Sequence, residues 1–165
     1  MMLYHCNYGW PLVDEGTEIL CRGGWASRGL EMDNAVFNEK RNYQKCSRPL
    51  QSHRGGGEGC AFIDVAADKE GICTAGLHNR RLGVALVLRY SRKQLPWLSN
   101  WQHWGPGEYV TALEPGTNPP IGQAKAREQK KLIHIAPGKS RTYDLEMTVL
   151  TDKGQIAEFR KAAGQ

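Results

Sequence analysis

The chain has 165 residues, which is enough for one domain with a core of its own. Its basic residues exceed the acidic ones by five but are scattered along the sequence, which argues against a nucleic-acid partner. No run of about 18 apolar residues is present, so the sequence predicts no membrane-spanning helix and no membrane partner.

The first predicted strand begins only a few residues into the chain. Residues 4–10 alternate between an aromatic or Cys side chain and a small or polar one, the period of two that is typical of a strand. His5 and Asn7 share its polar face, and a turn at 14–16 leads to a second short strand at 18–21. A strand this early needs a pairing partner, so the sequence reads as the middle of a fold rather than its start.

The remaining elements favour an antiparallel all-β domain over residues 1–150, followed by a tail. Residues 22–59 are polar, rich in Gly and without periodicity, which predicts a long loop that is functional or poorly ordered. Turns then separate strands predicted at 60–65, 72–77, 83–90, 109–113, 131–135 and 141–150. The almost continuously apolar run 83–90 indicates a strand buried on both faces. The tail, 151–165, is expected to hold a short helix near Ile156–Ala163.

The cysteines and the N-terminus bear on the compartment and on cofactors. Five Cys without a C-x-x-C pair fit reduced thiols better than a disulfide framework or a zinc site. Residues 1–5 lack the basic and apolar regions of a secretory signal, so a cytoplasmic location is expected. No metal-ligand spacing and no phosphate-binding motif stands out, so neither a metal nor a cofactor is predicted.

Glu114 is the most informative single residue. It closes the apolar run 109–113 and is followed at once by Pro115-Gly116, so its carboxylate is expected at the rim of a sheet. Just upstream, Trp97, Trp101 and Trp104 flank Gln102 and His103. Flat apolar surfaces beside an acid suit a sugar ring, although an acid that merely caps a turn would give the same local pattern.

Two histidines compete to act with this carboxylate. An imidazole and a carboxylate on opposite sides of a substrate can work as acid and base, and His5 with Glu114 is one such pair. His103, beside Trp101, is the competing candidate and could equally donate a hydrogen bond at the rim. The residues alone leave this choice open.

Three long stretches resemble a known family. YHCNYGWPLVDEG, LRYSRKQLPWLSNWQHWGPGEYVTALEPGTNPPIGQAKARE and IAPGKSRTYDLEMTVL are similar, in this order, to the C-terminal half of aldose 1-epimerases of the galactose mutarotase-like superfamily, in an incompletely characterised branch. The resemblance implies an antiparallel β-supersandwich that lacks its N-terminal part. It also implies a cofactor-free isomerase of carbohydrate metabolism that binds a small sugar.

The same resemblance assigns roles to individual residues. It implies that His5 protonates the ring oxygen of the sugar while Glu114 removes the proton of the anomeric hydroxyl. The substrate-binding positions that it implies are Trp101, Gln102, Asn7, His103, Asn118 and Arg127. Because only half of the family fold is present, two alternatives remain. The protein could bind carbohydrate without turnover, or it could be an inactive fragment that needs a partner chain, for example in a homodimer.

Overall fold

The computed structural model describes residues 1–38 and 41–164, within which nine strands form two antiparallel sheets. The strands are β1 (Cys6–Tyr8), β2 (Glu18–Cys21), β3 (Gly23–Ser27), β4 (Gly59–Val65), β5 (Ile72–Asn79), β6 (Val84–Ser91), β7 (Trp97–Gly105), β8 (Glu108–Gly116) and β9 (Leu145–Leu150). Two α-helices, α1 (Gln123–Glu128) and α2 (Lys153–Ala162), and two 3-10 turns, Glu31–Ala35 and Gln51–His53, complete the elements.

The two sheets pack face to face. One has the order β1-β8-β7-β4-β3 and the other the order β2-β5-β6-β9. Their facing sides bury an apolar core to which both sheets contribute, including Ile19, Ile63, Leu77, Leu88, Leu98 and Leu113. The antiparallel all-β sandwich predicted from the sequence is therefore confirmed.

The segment 22–59 differs from the loop that the sequence predicts. It contains β3 and both 3-10 turns, and it buries side chains such as Asp33, Tyr43 and His53. β3 has no apolar alternation because it is an exposed, Gly-rich strand at the edge of its sheet, paired with β4. Its order comes from partners distant in sequence, which a local pattern does not reveal.

Residues 131–135, predicted as a strand, pair with neither sheet. Alternation of polar and apolar residues is a local signal, but a strand also needs a neighbouring edge to bond with, and this segment runs outside both sheets. Of the predicted strand 141–150, only Leu145–Leu150 is paired, through β6. Leu145, Met147 and Val149 lie on the core-facing side, yet Met147 and Val149 are 48% and 62% exposed because β9 is a sheet edge.

Helix α2 lies where the sequence places a terminal helix. Asp152 caps its start, since the carboxylate accepts a hydrogen bond from the Gln155 amide at 2.9 Å. Ile156 and Phe159 pack on the side of the four-stranded sheet that faces away from the main core, against Leu20, Ala85 and Val87. Strand β6 is thus covered on both faces, as its apolar run predicts. No helix among the described residues is long and apolar enough to cross a membrane.

An ion cluster joins α2 to this sheet and makes stability depend on pH. Glu18 accepts hydrogen bonds from Arg80, at 2.8 and 3.0 Å, and from Arg160 of α2. The bonds from Arg80, joined by those from Arg160, outweigh the effect of burial and lower the pKa of Glu18 to about 2. A carboxyl with a depressed folded-state pKa stabilises the fold above its unfolded pKa, and that stability disappears as pH falls towards the folded value.

We therefore predict that the free energy of unfolding decreases between about pH 5 and pH 2 by more in the wild type than in Glu18→Gln. Urea denaturation at a series of pH values measures this difference. Glu70→Gln, in the exposed turn before β5, is the matched control and should follow the wild-type curve. Parallel pH curves for Glu18→Gln and the wild type would show that the cluster does not stabilise the docked helix.

Candidate functional site

The side of the five-stranded sheet that faces away from the core carries most of the predicted site residues. Cross-strand register places Asn7 opposite Ala112, Ala112 opposite Trp101, and Glu114 opposite Ser99. Side chains of a strand alternate between its two faces, so these residues share one face, while their neighbours Leu98 and Leu113 point into the core. We call this surface of β1, β8, β7 and β4 the outer face.

His5 and Glu114 meet on the outer face. Strand β1 pairs with β8, and continuing the register beyond Cys6 opposite Leu113 sets His5 beside Glu114. The His5 Nε2 atom lies 3.0 Å from Glu114 Oε1. The carboxylate side chain is only 5% exposed, whereas the imidazole is 58% exposed. The structure thus joins a buried carboxylate to an imidazole that solvent or a ligand can reach.

Burial sets the acid–base character of Glu114. Loss of hydration raises the pKa of this carboxyl, the nearby His5 pulls it back down, and the negative charge of Glu58 raises it further. The net shift is upward from the ordinary value for Glu. A carboxylate with a raised pKa is a stronger base than an exposed one, which suits proton abstraction near neutral pH.

Glu58 and Arg28 belong to the site but carry no signal in the sequence. The Trp101 indole N–H donates a hydrogen bond to Glu58, and the Arg28 guanidinium bridges Glu58 to the buried Asp33. Burial alone would raise the pKa of Glu58, but the hydrogen bonds from Arg28 and Trp101 outweigh it and the net shift is downward. Glu58 is therefore held as an anion beside Trp101. It lies in the Gly-rich part of the predicted loop, where no periodicity or motif distinguishes it.

His103 forms one wall of the groove beside this group. Its ring stacks on Trp101 with centroids 5.9 Å apart and planes inclined by 10°. His103 Nδ1 lies 2.6 Å from the Gly57 carbonyl oxygen, and Nε2 lies 3.4 Å from Glu108 Oε2. Through these contacts His103 positions the Trp101 ring. The His103 imidazole itself does not lie beside Glu114. The groove measures about 620 Å³ and also includes Glu58, Tyr109 and Val110 in its lining.

Three residues of the predicted substrate-binding set lie elsewhere. Gln102 is buried in the core, where its amide donates to the Tyr43 carbonyl at 2.8 Å and accepts from the Trp104 indole at 3.1 Å. Asn118 is buried in the loop after β8, bonded to Thr117 and to the Lys131 carbonyl. Arg127 is exposed on α1, and its side chain makes no hydrogen bond or ion pair within the described residues. The structure brings together His5, Glu114, Asn7, Trp101 and His103.

The chemistry that this arrangement supports is proton transfer next to a flat apolar surface. Trp101 offers its ring, Glu58 and Asn7 offer hydrogen-bonding groups, and the pair of His5 and Glu114 supplies an acid and a base. Across residues 1–38 and 41–164, no three His, Cys, Asp or Glu side chains gather as a metal site would require.

Comparisons with known proteins agree with the fold. The structure is similar to the crystal structure of a protein described as a "putative aldose 1-epimerase" from Klebsiella pneumoniae subsp. pneumoniae MGH 78578. The TM-score is 0.84 at 25% sequence identity, and the match covers 96% of this chain and 40% of that chain. The chain therefore spans less than half the length of that protein.

The resemblance to aldose 1-epimerase-like proteins that the three motifs indicate is thus confirmed at the level of fold. No curated protein sequence matches the chain. A family model described as a domain of unknown function, DUF4432, matches residues 1–149. This match covers nearly the whole sequence, and the chain belongs to the DUF4432 family.

Proposed function

We propose that this protein binds an aldose on the outer face and interconverts its two anomers, with His5 as the acid and Glu114 as the base. The observation that carries the proposal is the contact of 3.0 Å between an accessible imidazole and a buried carboxylate of raised pKa, beside Trp101. The likeness of the fold to an aldose 1-epimerase-like structure supports the same reaction class.

The closeness of the two groups fits the geometry of a cyclic sugar. The anomeric carbon of an aldose bears both the ring oxygen and the anomeric hydroxyl, so the two atoms that exchange protons are bonded to the same carbon. An acid and a base that serve them can therefore lie close together. The contact between His5 and Glu114 fits this geometry, and a sugar would lie over both groups.

The proposed reaction begins with protonated His5 and ionised Glu114. Glu114 takes the proton of the anomeric hydroxyl while His5 gives its proton to the ring oxygen, and the bond between the anomeric carbon and the ring oxygen breaks. Rotation about the C1–C2 bond then presents the other face of the aldehyde. On closure, His5 recovers a proton from the attacking hydroxyl and Glu114 returns one to the carbonyl oxygen. Both residues end in their starting states.

Binding in this proposal depends on Trp101 and Glu58. The indole ring gives an apolar platform for the C–H face of the sugar, and the Glu58 carboxylate can accept hydrogen bonds from ring hydroxyls. The hydrogen bond from Arg28 keeps Glu58 ionised and fixes the orientation of its carboxylate. No metal and no organic cofactor enters the proposed steps.

Carbohydrate binding without turnover is the second candidate. One observation favours it: the His5 side chain is 58% exposed, so the site as it stands excludes little water from the acid. This candidate predicts that sugars change tryptophan fluorescence through Trp101 but leave the rate of anomer exchange unaltered. The two candidates differ in rate and not in binding.

NMR exchange between the α- and β-anomers of galactose tests the proposal. We expect the wild type to accelerate exchange and His5→Asn to lose about 10²-fold or more of that acceleration, the usual contribution of a general acid. Binding measured by fluorescence should persist, because His5 is not the stacking platform. A matched control is His134→Asn, at an exposed position outside both sheets. Equal exchange rates for His5→Asn and an active wild type would exclude the acid role.

We also propose that two copies associate through β9. This strand is the edge of its sheet, and its inward-facing Met147 and Val149 are exposed. Antiparallel pairing with a second copy about Met147 would set Leu145 opposite Val149, and Glu146 opposite Thr148, so no like charges would meet. Light scattering should give the mass of a dimer for the wild type and of a monomer for Val149→Lys. A monomeric wild type would exclude this association.

A further inference from the structure

A second groove lies on the outer face, on the other side of Glu114 from His103. It measures about 300 Å³, and its floor is aromatic, formed by Phe62 of β4 and Trp97 of β7. The segment that follows β8 forms its wall and contributes Lys125, Gln129 and Lys131. Lys131 Nζ lies 6.0 Å from the centre of the Trp97 ring, within range of a cation–π contact.

The groove continues directly from the row of Glu114. Phe62 is opposite Ser99 and Ser99 is opposite Glu114, so the three share one row across the outer face. Trp97 lies two residues before Ser99 along β7 and on the same face, a step of about 7 Å. A sugar over Glu114 can therefore reach the groove with a substituent on its ring.

The hydroxyl at the junction has no hydrogen-bond partner among the described residues. It belongs to Ser99, which is 1% exposed. A buried hydroxyl left unpaired is unfavourable, so such groups normally meet a ligand or a water. Ser99 lies between Phe62 and Glu114 in the row, so the unpaired hydroxyl marks the junction between the sugar position and the groove.

The two ends of the outer face differ in charge. Neither Lys125 nor Lys131 pairs with a carboxylate among the described residues, and Asp64 in the same groove is neutralised by Arg92 at 2.7 Å. At the opposite end, Glu58 and Glu108 flank His103. The single Arg28 is shared between Glu58 and Asp33, so one negative charge of that pair of carboxylates stays uncompensated. This difference in charge would not orient a neutral sugar. An anionic substituent, in contrast, would be attracted to the lysines and repelled by the carboxylates.

We propose that the substrate is an anionic aldose whose carboxylate or phosphate ester lies in the groove between Lys125 and Lys131. The inference rests on the proposed function, because it assumes that the sugar ring lies over Glu114. Trp97 and Phe62 support the apolar side of the bound ligand.

Tryptophan fluorescence titrations with galactose, galacturonate, galactose 6-phosphate and inorganic phosphate test this assignment. At low ionic strength we expect at least one anionic sugar to bind about 10-fold or more tightly than galactose, and the tighter of the two identifies the anionic group. The double variant Lys125→Gln, Lys131→Gln should bind all three sugars alike. Lys139→Gln, in an exposed turn, removes one charge elsewhere and should keep the preference.

Two outcomes would overturn the inference. One is equal affinity of the wild type for neutral and anionic sugars, and the other is binding of inorganic phosphate as tight as that of the sugar phosphate, which would make the groove a site for free anions. Anomer exchange separates this inference from the proposed function. If the protein accelerates exchange of galactose but shows no preference for anionic sugars, only the groove assignment is wrong. If it prefers anionic sugars through both lysines but does not accelerate exchange, only the catalytic proposal is wrong.

Discussion

Replacing Glu114 with Gln is expected to lower the enzyme-dependent rate of anomer exchange by about 10²–10⁴-fold, the range that general bases contribute. The amide keeps the size of the side chain and can still receive a hydrogen bond from His5, but it accepts no proton. The fold should persist, because an amide avoids the burial of charge that raises the pKa of this carboxyl. NMR exchange measures the rate, and urea denaturation checks the stability.

The pH dependence of the wild type gives a second measure of the same residue. The base works only when ionised, so the rate should fall as pH drops through the pKa of Glu114, and this acidic limb should lie above the range of an exposed Glu. Glu70→Gln should show the wild-type rate and limb. If Glu114→Gln retains the full rate, or if the acidic limb stays in Glu114→Gln, another group is the base.

The positions of His5 and Asn7 on the outer face were predictable, because the alternation of side chains in a strand can be recognised even in a short sequence. Alternation along residues 4–10 puts His5 and Asn7 on one face. The strand end expected at Glu114 is wrong, because β8 continues to Gly116 and Pro115 and Gly116 still pair with β7, so Glu114 lies inside the strand. What the pattern alone could not supply was the meeting of His5 with Glu114, which depends on the pairing of β1 with β8 across most of the chain. The family resemblance implied that the two residues act at one site, but not which strands bring them together.

Gln102 shows where the pattern misleads. Along β7 the core-facing positions include the polar Asn100 and Gln102, so apolar and polar residues do not alternate and the face of each side chain cannot be read. Inside the core these amides satisfy each other, since Gln102 Nε2 donates to Asn100 Oδ1 at 2.7 Å. A sequence shows polar residues beside tryptophans, but not which of them are paired in the interior.

Glu58 shows the opposite failure, a site residue without a pattern. It sits among glycines, and its role depends on Arg28 and Asp33, which are brought near by β3 and the first 3-10 turn. These partners belong to the segment that the sequence presents as a loop. The chemistry of the outer face therefore depends on the part of the chain with the weakest local signal, and stability measurements on that segment test this dependence.

Replacing Asp33 with Ala is expected to lower the free energy of unfolding by about 3–5 kcal/mol, the typical cost of breaking a buried ion pair by removing one partner. Asp33 is fully buried, and its carboxylate accepts hydrogen bonds from the Leu30 amide at 2.9 Å, the Cys60 amide at 3.0 Å and Arg28 at 2.9 Å. The alanine leaves both amides unpaired and removes the support that orients Arg28 towards Glu58.

Urea denaturation measures the change, and Asp64→Ala is the matched control. Asp64 also pairs with an arginine at 2.7 Å, but both partners are exposed, so its loss should cost less than about 1 kcal/mol. A loss of stability in Asp33→Ala as small as that of the control would mean that the network does not hold the segment.

Because Arg28 orients the Glu58 carboxylate beside Trp101, Asp33→Ala should also weaken sugar-dependent fluorescence changes at concentrations of urea where the variant remains folded. Loss of stability with unaltered sugar binding would separate Asp33 from the site and leave it a purely structural residue.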